Sequence, residues 1–448
     1  MTRSLGEPRP VTTGRYRYSK LRWRLLVRAF DAAGTVFMRC WRAARPPRTV
    51  SSPRRILVLQ LDHLGDSVLS TPLLAQLNAA YPGATIEVLA SPSNHQVFEA
   101  DPAVARVRIA ARTWFERDPS RWGLIRSVWG LGRSIRREGY DLGIDVRGDV
   151  LSVLVMALGG IPRRVGWAMG GGAFLLTDVA EWVPGRHEVE SRQAILRVLG
   201  LEPEVAPRVM VHVTERDRAV VGAWLEEAWP RRAVRRSEIR AAVARGPAGG
   251  GSRLSTPTQR HLADGGDRLH AGRFGPVAPL LAVHVGAGTA AKRWPLRHWS
   301  VLIRRFLRDG WRIVVVGGPD DPPASQFLPP HDRLCDFTGR LSVSETAAVL
   351  ERADLFIGAD SGPAHLAASA GTLSVVLFSG TNQPRQWRPW SRYSLILRHR
   401  VPCRPCHQKV CPLADHPCMS GLEPDRIYRA AMRWWSRTHD ALSPHHPL

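Results

Sequence analysis

From Arg55 onward, short apolar runs alternate with amphipathic stretches. RILVLQL (55–61) has the length and composition of a strand buried on both faces, and LGDSVLSTPLLAQLNAA (64–80) follows at helical spacing up to Pro82-Gly83. TIEVLAS (85–91) and YDLGIDV (140–146) predict two further strands. Helices are predicted over 121–138 and over 187–200, the latter ending at Gly200. The rhythm breaks over 230–276 and restarts at LLAVHVGAG (280–288). Strands over 311–318, 354–360 and 373–379 then alternate with helices over 296–309, 342–352 and 362–370, and 423–437 reads as a closing helix. This alternation predicts an α/β fold of two Rossmann-like, doubly wound parallel-sheet domains, with ligands in a cleft at the strand C-terminal ends.

The expected division is a basic arm over 1–50, an acceptor-side domain over 51–229, an insert over 230–276, a donor-side domain over 277–422, and a closing helix and tail over 423–448. The insert is rich in Arg, Gly, Pro and Ser and reads as a flexible linker. Within the arm, residues 21–44 set Trp23, Leu26, Val27, Phe30, Phe37 and Trp41 at mostly helical spacing with Arg on the remaining face. Such a helix can lie in an anionic membrane interface or dock on the protein's own surface. No run of about 18 apolar residues occurs, and Arg22, Arg24, Arg28, Asp31 and Arg39 interrupt the N-terminal apolar runs. The expectation is a cytoplasmic protein, peripheral to the inner face of the plasma membrane where 21–44 engages it.

With 448 residues, 44% hydrophobic and 23% charged, the chain has the composition of a globular protein of more than one domain. Its formal net charge of +24 raises the question of a nucleic-acid partner. The distribution argues against one: residues 1–55 carry +12 and residues 230–276 carry +7, so little excess remains for the folded body. Among 63 basic residues only Lys20, Lys292 and Lys409 are lysine. An ammonium kept against so strong an arginine bias draws attention, since the two cations are not interchangeable.

Four segments carry candidate chemistry. In LDHLGDSVLSTP (61–72) a strand ends, the chain turns at Gly65, and Asp66 stands at a helix start. It can serve there as a catalytic carboxylate or as a helix cap. In HVGAGTAAKRWPLRHW (284–299) a small-residue turn with Thr289 leads to Lys292, an arrangement suited to a diphosphate although it lacks the Walker spacing. In GADSGPAHLAASAG (358–371) Asp360 ends a strand, and Ser361, Gly362 and Pro363 open a helix whose first turn holds His365. The free N–H groups there suit an anion, while His365 could equally be a core residue. Finally, Cys403, Cys406, Cys411 and Cys418 fall within 16 residues. Structural zinc, an iron–sulfur cluster, disulfides and free thiols are all open to that spacing.

With these blocks in order, the sequence resembles the glycosyltransferase family 9 enzymes, best known as ADP-heptose:lipopolysaccharide heptosyltransferases. The resemblance rests on ILVLQLDHLGDSVLSTPLL, VGAGTAAKRWPLRHW, DFTGRLSVSETAAVLERADLFIGADSGPAHLAAS and LFSGTNQPRQWRPW, and spans about 55–435 without the insert. It implies a GT-B fold and inverting, metal-independent transfer of a sugar, heptose from ADP-heptose, to a saccharide or glycolipid hydroxyl. By the same resemblance Asp66 matches the general base of the LGD motif and Lys292 the lysine on the donor phosphates. Asp360, Ser361, Gly362 and His365 match the donor-binding turn. No cofactor is then needed beyond the nucleotide-sugar donor, apart from a zinc ion if the cysteines hold one. Two other readings stay open from sequence: a nucleotide-sugar epimerase of similar fold, and a catalytically idle nucleotide-sugar-binding scaffold.

Overall fold

The computed structural model describes residues 21–44, 50–110, 121–229 and 278–442. The insert predicted over 230–276 lies outside them. The first half builds a six-stranded parallel sheet from β1 (Arg55–Gln60), β2 (Thr85–Ala90), β3 (Arg106–Ile109), β4 (Leu142–Asp145), β5 (Arg163–Trp167) and β6 (Asp178–Ala180). The second half repeats the plan with β7 (Leu280–His284), β8 (Arg312–Val315), β9 (Leu334–Asp336), β10 (Leu355–Ala359), β11 (Ser374–Phe378) and β12 (Ser394–Arg398). The strand orders are β3-β2-β1-β4-β5-β6 and β12-β11-β10-β7-β8-β9, with every pairing parallel. Each half is therefore a doubly wound sheet whose direction of winding reverses once, between β1 and β4 and between β7 and β10. That reversal opens a crevice at the strand C-terminal ends.

The central strands are apolar because helices cover both faces: β1, β7 and β10 are buried along almost their whole length. Helix Leu296–Arg308 shows how the covering works. Trp299, Leu302, Ile303, Phe306 and Leu307 recur on one face and are buried, while Arg304, Arg305 and Arg308 occupy the rest. The closing helix Pro424–Leu442 packs on it through Ile427, Tyr428 and Ala431.

One feature departs from the sequence expectation, and one follows a reading the sequence left open. The helix predicted over 64–80 is two helices, Leu64–Val68 and Thr71–Ala80, broken at Leu69-Ser70. Pro72 lacks an N–H and so begins the second helix rather than continuing the first. Helix Leu21–Ala44 forms and docks by one face. Asp31 is buried and accepts the Gly172 N–H at 2.7 Å, while Phe30 meets Phe174 edge-on with centroids 5.1 Å apart. Leu21, Leu25, Leu26 and Val36 stay exposed. No described helix is long and apolar enough to cross a membrane.

Candidate active site

The two switch points face each other. The turn after β1 and the turn after β10 meet where helix Leu64–Val68 packs on helix Gly362–Ser369. Both approach on glycine: a Cβ on Gly65 would stand 2.8 Å from His365 Cδ2, and one on Gly362 would stand 2.6 Å from Leu64 Cδ2. Beside this contact lies a cavity of about 650 Å³, lined from both halves. All eight residues singled out in the first three motifs, from Gly65 and Asp66 to Thr289, Lys292, Asp360, Ser361, Gly362 and His365, border it.

On the N-terminal wall, Asp66 is not the cap of its helix. His63 occupies the cap position without a side-chain bond, and Asp66 is the third helical residue, in the first turn, with its side chain 14% exposed. Its nearest cation is Arg192, with Nη2 3.6 Å from Oδ1. Burial, and next the Asp62 charge, push the Asp66 carboxyl up to about 7, with Glu188 adding to the rise and Arg192 and Arg147 opposing it. Asp66 therefore takes up and releases a proton near neutrality.

Three residues that sequence reasoning passed over, Arg192, Arg147 and Glu188, hold this arrangement together with Asp62, the neighbouring carboxylate that the sequence offered as an alternative base. Arg192, on helix Glu188–Val198, is buried. It donates from Nε to Ser70 Oγ at 2.7 Å and from Nη1 to Glu188 Oε2 at 2.9 Å. Arg147 pairs with Asp62, and the turn carrying Arg147 is folded by Asp145, which accepts the N–H groups of Gly148 and Asp149 at 2.9 and 3.0 Å. Glu188 also receives Gln386 Nε2 from the other half at 2.8 Å. Nothing in the local pattern marks Arg192 or Glu188, which stand more than a hundred residues from Asp66.

On the C-terminal wall, Lys292 Nζ lies 2.8 Å from Asp360 Oδ2, and Asp360 also accepts Asn382 Nδ2 at 2.9 Å. Ser361 precedes helix Gly362–Ser369 in extended conformation and its side chain makes no capping bond; Pro363 has no N–H and Ala364 donates to Ser361 O at 3.1 Å, so the N–H left open at the helix start is that of Gly362. Ser361 Oγ is 3.0 Å from His284 Nδ1, and His284 Nε2 is 3.0 Å from Asp321 Oδ2. His365 is buried, which holds its imidazole neutral with a pKa near 4. Its Nδ1, like Thr289 Oγ1, has no hydrogen-bond partner among the described residues. Two buried polar atoms left open beside a cavity are what a ligand can satisfy.

Cys403, Cys406, Cys411 and Cys418 lie on the chain after β12, and among the described residues no group of three or more His, Cys, Asp or Glu is arranged as a metal site. All four are free. Cys418 is buried on helix Pro417–Ser420 while Cys403 is exposed; burial pushes the Cys418 thiol up, and Cys411, Cys406 and Cys403 add to the rise. The segment also braces the Lys292 turn: Ala291 donates its N–H to Lys409 O at 3.0 Å, and its carbonyl lies 3.0 Å from His416 Nε2.

Comparison with known proteins places this geometry in context. Residues 253–416 match the family model described as Glycosyltransferase family 9 (heptosyltransferase). The chain is 26% identical to lipopolysaccharide heptosyltransferase 1 of Pseudomonas aeruginosa over 362 residues, covering 80% of this chain and 87% of that protein. Its fold is similar to that of Escherichia coli ADP-heptose LPS heptosyltransferase II, with a TM-score of 0.61 and 19% identity over 86% of this chain and 99% of that one. It is also similar to E. coli heptosyltransferase WaaC solved with ADP, with a TM-score of 0.56 and 17% identity over 85% of this chain and 99% of that one.

Proposed function

We propose that the chain, a glycosyltransferase that uses a nucleotide-sugar donor and is similar to glycosyltransferase family 9 enzymes, moves heptose from ADP-heptose to a saccharide or glycolipid hydroxyl with inversion and without a metal ion. One observation carries the reading: Asp66 and Lys292 stand on opposite walls of a single cavity, each at the switch point of its own sheet.

In this mechanism Asp66 accepts the proton of the acceptor hydroxyl as its oxygen attacks the anomeric carbon from the face opposite the diphosphate. The bond from that carbon to the phosphate oxygen breaks, and ADP leaves with the electron pair. The Lys292 ammonium and the Gly362 N–H at the start of helix Gly362–Ser369 stabilise the charge that collects on it. Fixed cations and dipoles then do what a divalent ion would otherwise do.

The test is calorimetric titration with ADP, UDP and GDP in chelator, paired with transfer assays on Asp66→Asn. The expectation is ADP binding in wild type and variant alike, with transfer reduced about 10²–10⁴-fold in the variant, the usual range for general-base loss. Normal transfer by the variant would remove Asp66 from its role.

The exposed face of helix Leu21–Ala44 supports a peripheral position on the inner membrane. Leu21, Leu25, Leu26 and Val36 lie in a helix that also carries Arg24, Arg28 and Arg39. Co-sedimentation with phosphatidylglycerol vesicles is expected, and is expected to weaken in a Leu25→Asp, Leu26→Asp double variant. Equal sedimentation of the two proteins would refute this placement.

A further inference from the structure

We propose that Gln386 is a positioning residue for Asp66: from the C-terminal half it fixes Glu188, and through Glu188 the Arg192 guanidinium that Asp66 faces. The proposal deepens the reading of Asp66 as the general base and rests on it for its bearing on transfer. Gln386 Nε2 donates to Glu188 Oε1 at 2.8 Å, and Arg192 Nη1 donates to Glu188 Oε2 at 2.9 Å. Arg192 Nη2 then stands 3.6 Å from Asp66 Oδ1. Each carboxylate oxygen of Glu188 thus has its own donor, one from each half of the molecule.

The surroundings hold both ends of this relay. Glu188 opens helix Glu188–Val198, whose cap, His187, accepts the Val189 N–H at Nδ1. That bond leaves the ring proton on Nε2, which donates to Arg388 O at 2.9 Å, two residues beyond Gln386. Trp390 packs on the His187 ring with centroids 4.5 Å apart and donates from Nε1 to Pro207 O at 2.9 Å. At the far end, Arg192 is buried with Nε on Ser70 Oγ. Asn382, four residues before Gln386, donates to Asp360, the partner of Lys292, so one short segment touches both walls of the cavity.

Asp66 is faced by Asp62 from its own turn, by Arg147 from the turn after β4, and by Glu188 and Arg192. The neutral His365 ring approaches from helix Gly362–Ser369 against Gly65. The Glu188 charge makes Asp66 hold its proton more tightly, and the Arg192 charge does the reverse. Without the Gln386 N–H, Glu188 Oε1 has only solvent to turn to, and the side chain, 14% exposed, swings away from Arg192. Arg192 Nη2 is then free to close on Asp66 to hydrogen-bond distance, and Asp66 becomes the weaker base.

Gln386→Met keeps the side-chain length and removes the donor. On the full-length protein the Asp66 midpoint is read first without any ligand, from the pH dependence of the stability difference between each protein and its Asp66→Asn counterpart. It is read again from kcat against pH at saturating ADP-heptose. Both midpoints are expected to fall by about half a unit or more in Gln386→Met, and by at least as much in Glu188→Gln. In the double variant Gln386→Met should add nothing to Glu188→Gln. An unshifted stability midpoint in Gln386→Met would overturn the proposal. So would full additivity, which would mean that Gln386 acts by another route, such as contact with a substrate. A shifted stability midpoint beside a kcat profile without a matching one would remove Asp66 as the base and leave the relay standing.

Discussion

Arg192 lowers the proton affinity that burial and Asp62 give Asp66, and the sign of that dependence is testable. In the wild type a base titrating near 7 is mostly protonated at pH 6 and mostly ionised at pH 8. Transfer should therefore climb about tenfold across that interval, since the carboxylate is the active form. Arg192→Gln removes a positive charge 3.6 Å from the carboxylate. At that distance the interaction is ~1 kcal/mol at the dielectric of water and ~5 kcal/mol at an effective constant near 20. The smaller figure is the better guide, because Glu188 sits 2.9 Å from Arg192 and already offsets its charge. At 1.36 kcal/mol per pKa unit, the midpoint should move up by about one unit, costing roughly fivefold in rate at pH 7. Arg192→Lys keeps the charge and should keep the midpoint. Asp62→Asn removes a charge that raises Asp66 and should shift the midpoint down. The assay is kcat against pH from 5.5 to 9.5 at saturating donor, with circular dichroism to verify folding. An Arg192→Gln profile superimposable on the wild type after scaling would refute the electrostatic argument.

Two further outcomes follow from the same site. Asp66 has a folded-state pKa near 7 against an unfolded value of 3.8, so its protonated form favours folding. That contribution is complete below about pH 4 and is lost as pH rises through 7. Asp66→Asn should therefore be inactive yet more stable at pH 8, by up to about 4 kcal/mol, and little changed at pH 4. Chemical denaturation at both pH values checks this, and an equal change at both would contradict it. Gly65→Ala would drive a methyl group to 2.8 Å from His365 and push the two switch points apart. Transfer should fall at least tenfold while the ADP affinity of the C-terminal half changes little; calorimetry and rate together would show otherwise if ADP binding were lost as well.

Strands buried on both faces could be read directly from sequence, because a parallel sheet covered by helices demands uninterrupted apolar runs. That is why β1, β2, β4, β7, β8, β10 and β11 were anticipated, and why β3, β5, β6, β9 and β12 were not: short or partly exposed strands carry no comparable signal. Motifs at strand ends were legible for a related reason, since a turn that feeds a helix N-terminus leaves a local signature of Gly, Asp, Ser and Pro. Sequence alone thus determined the two-sheet plan and the identity of Asp66, Lys292 and the Asp360–His365 turn as candidates. It could not show that Asp66 is not a cap, that burial together with Asp62, Arg192, Glu188 and Arg147 sets its proton affinity, or that the cysteine loop braces Lys292. Those facts depend on residues far apart in the chain that meet only when both sheets have formed and packed. Electrostatic and hydrogen-bond energies follow distance in space, and it was the tertiary structure that decided those distances.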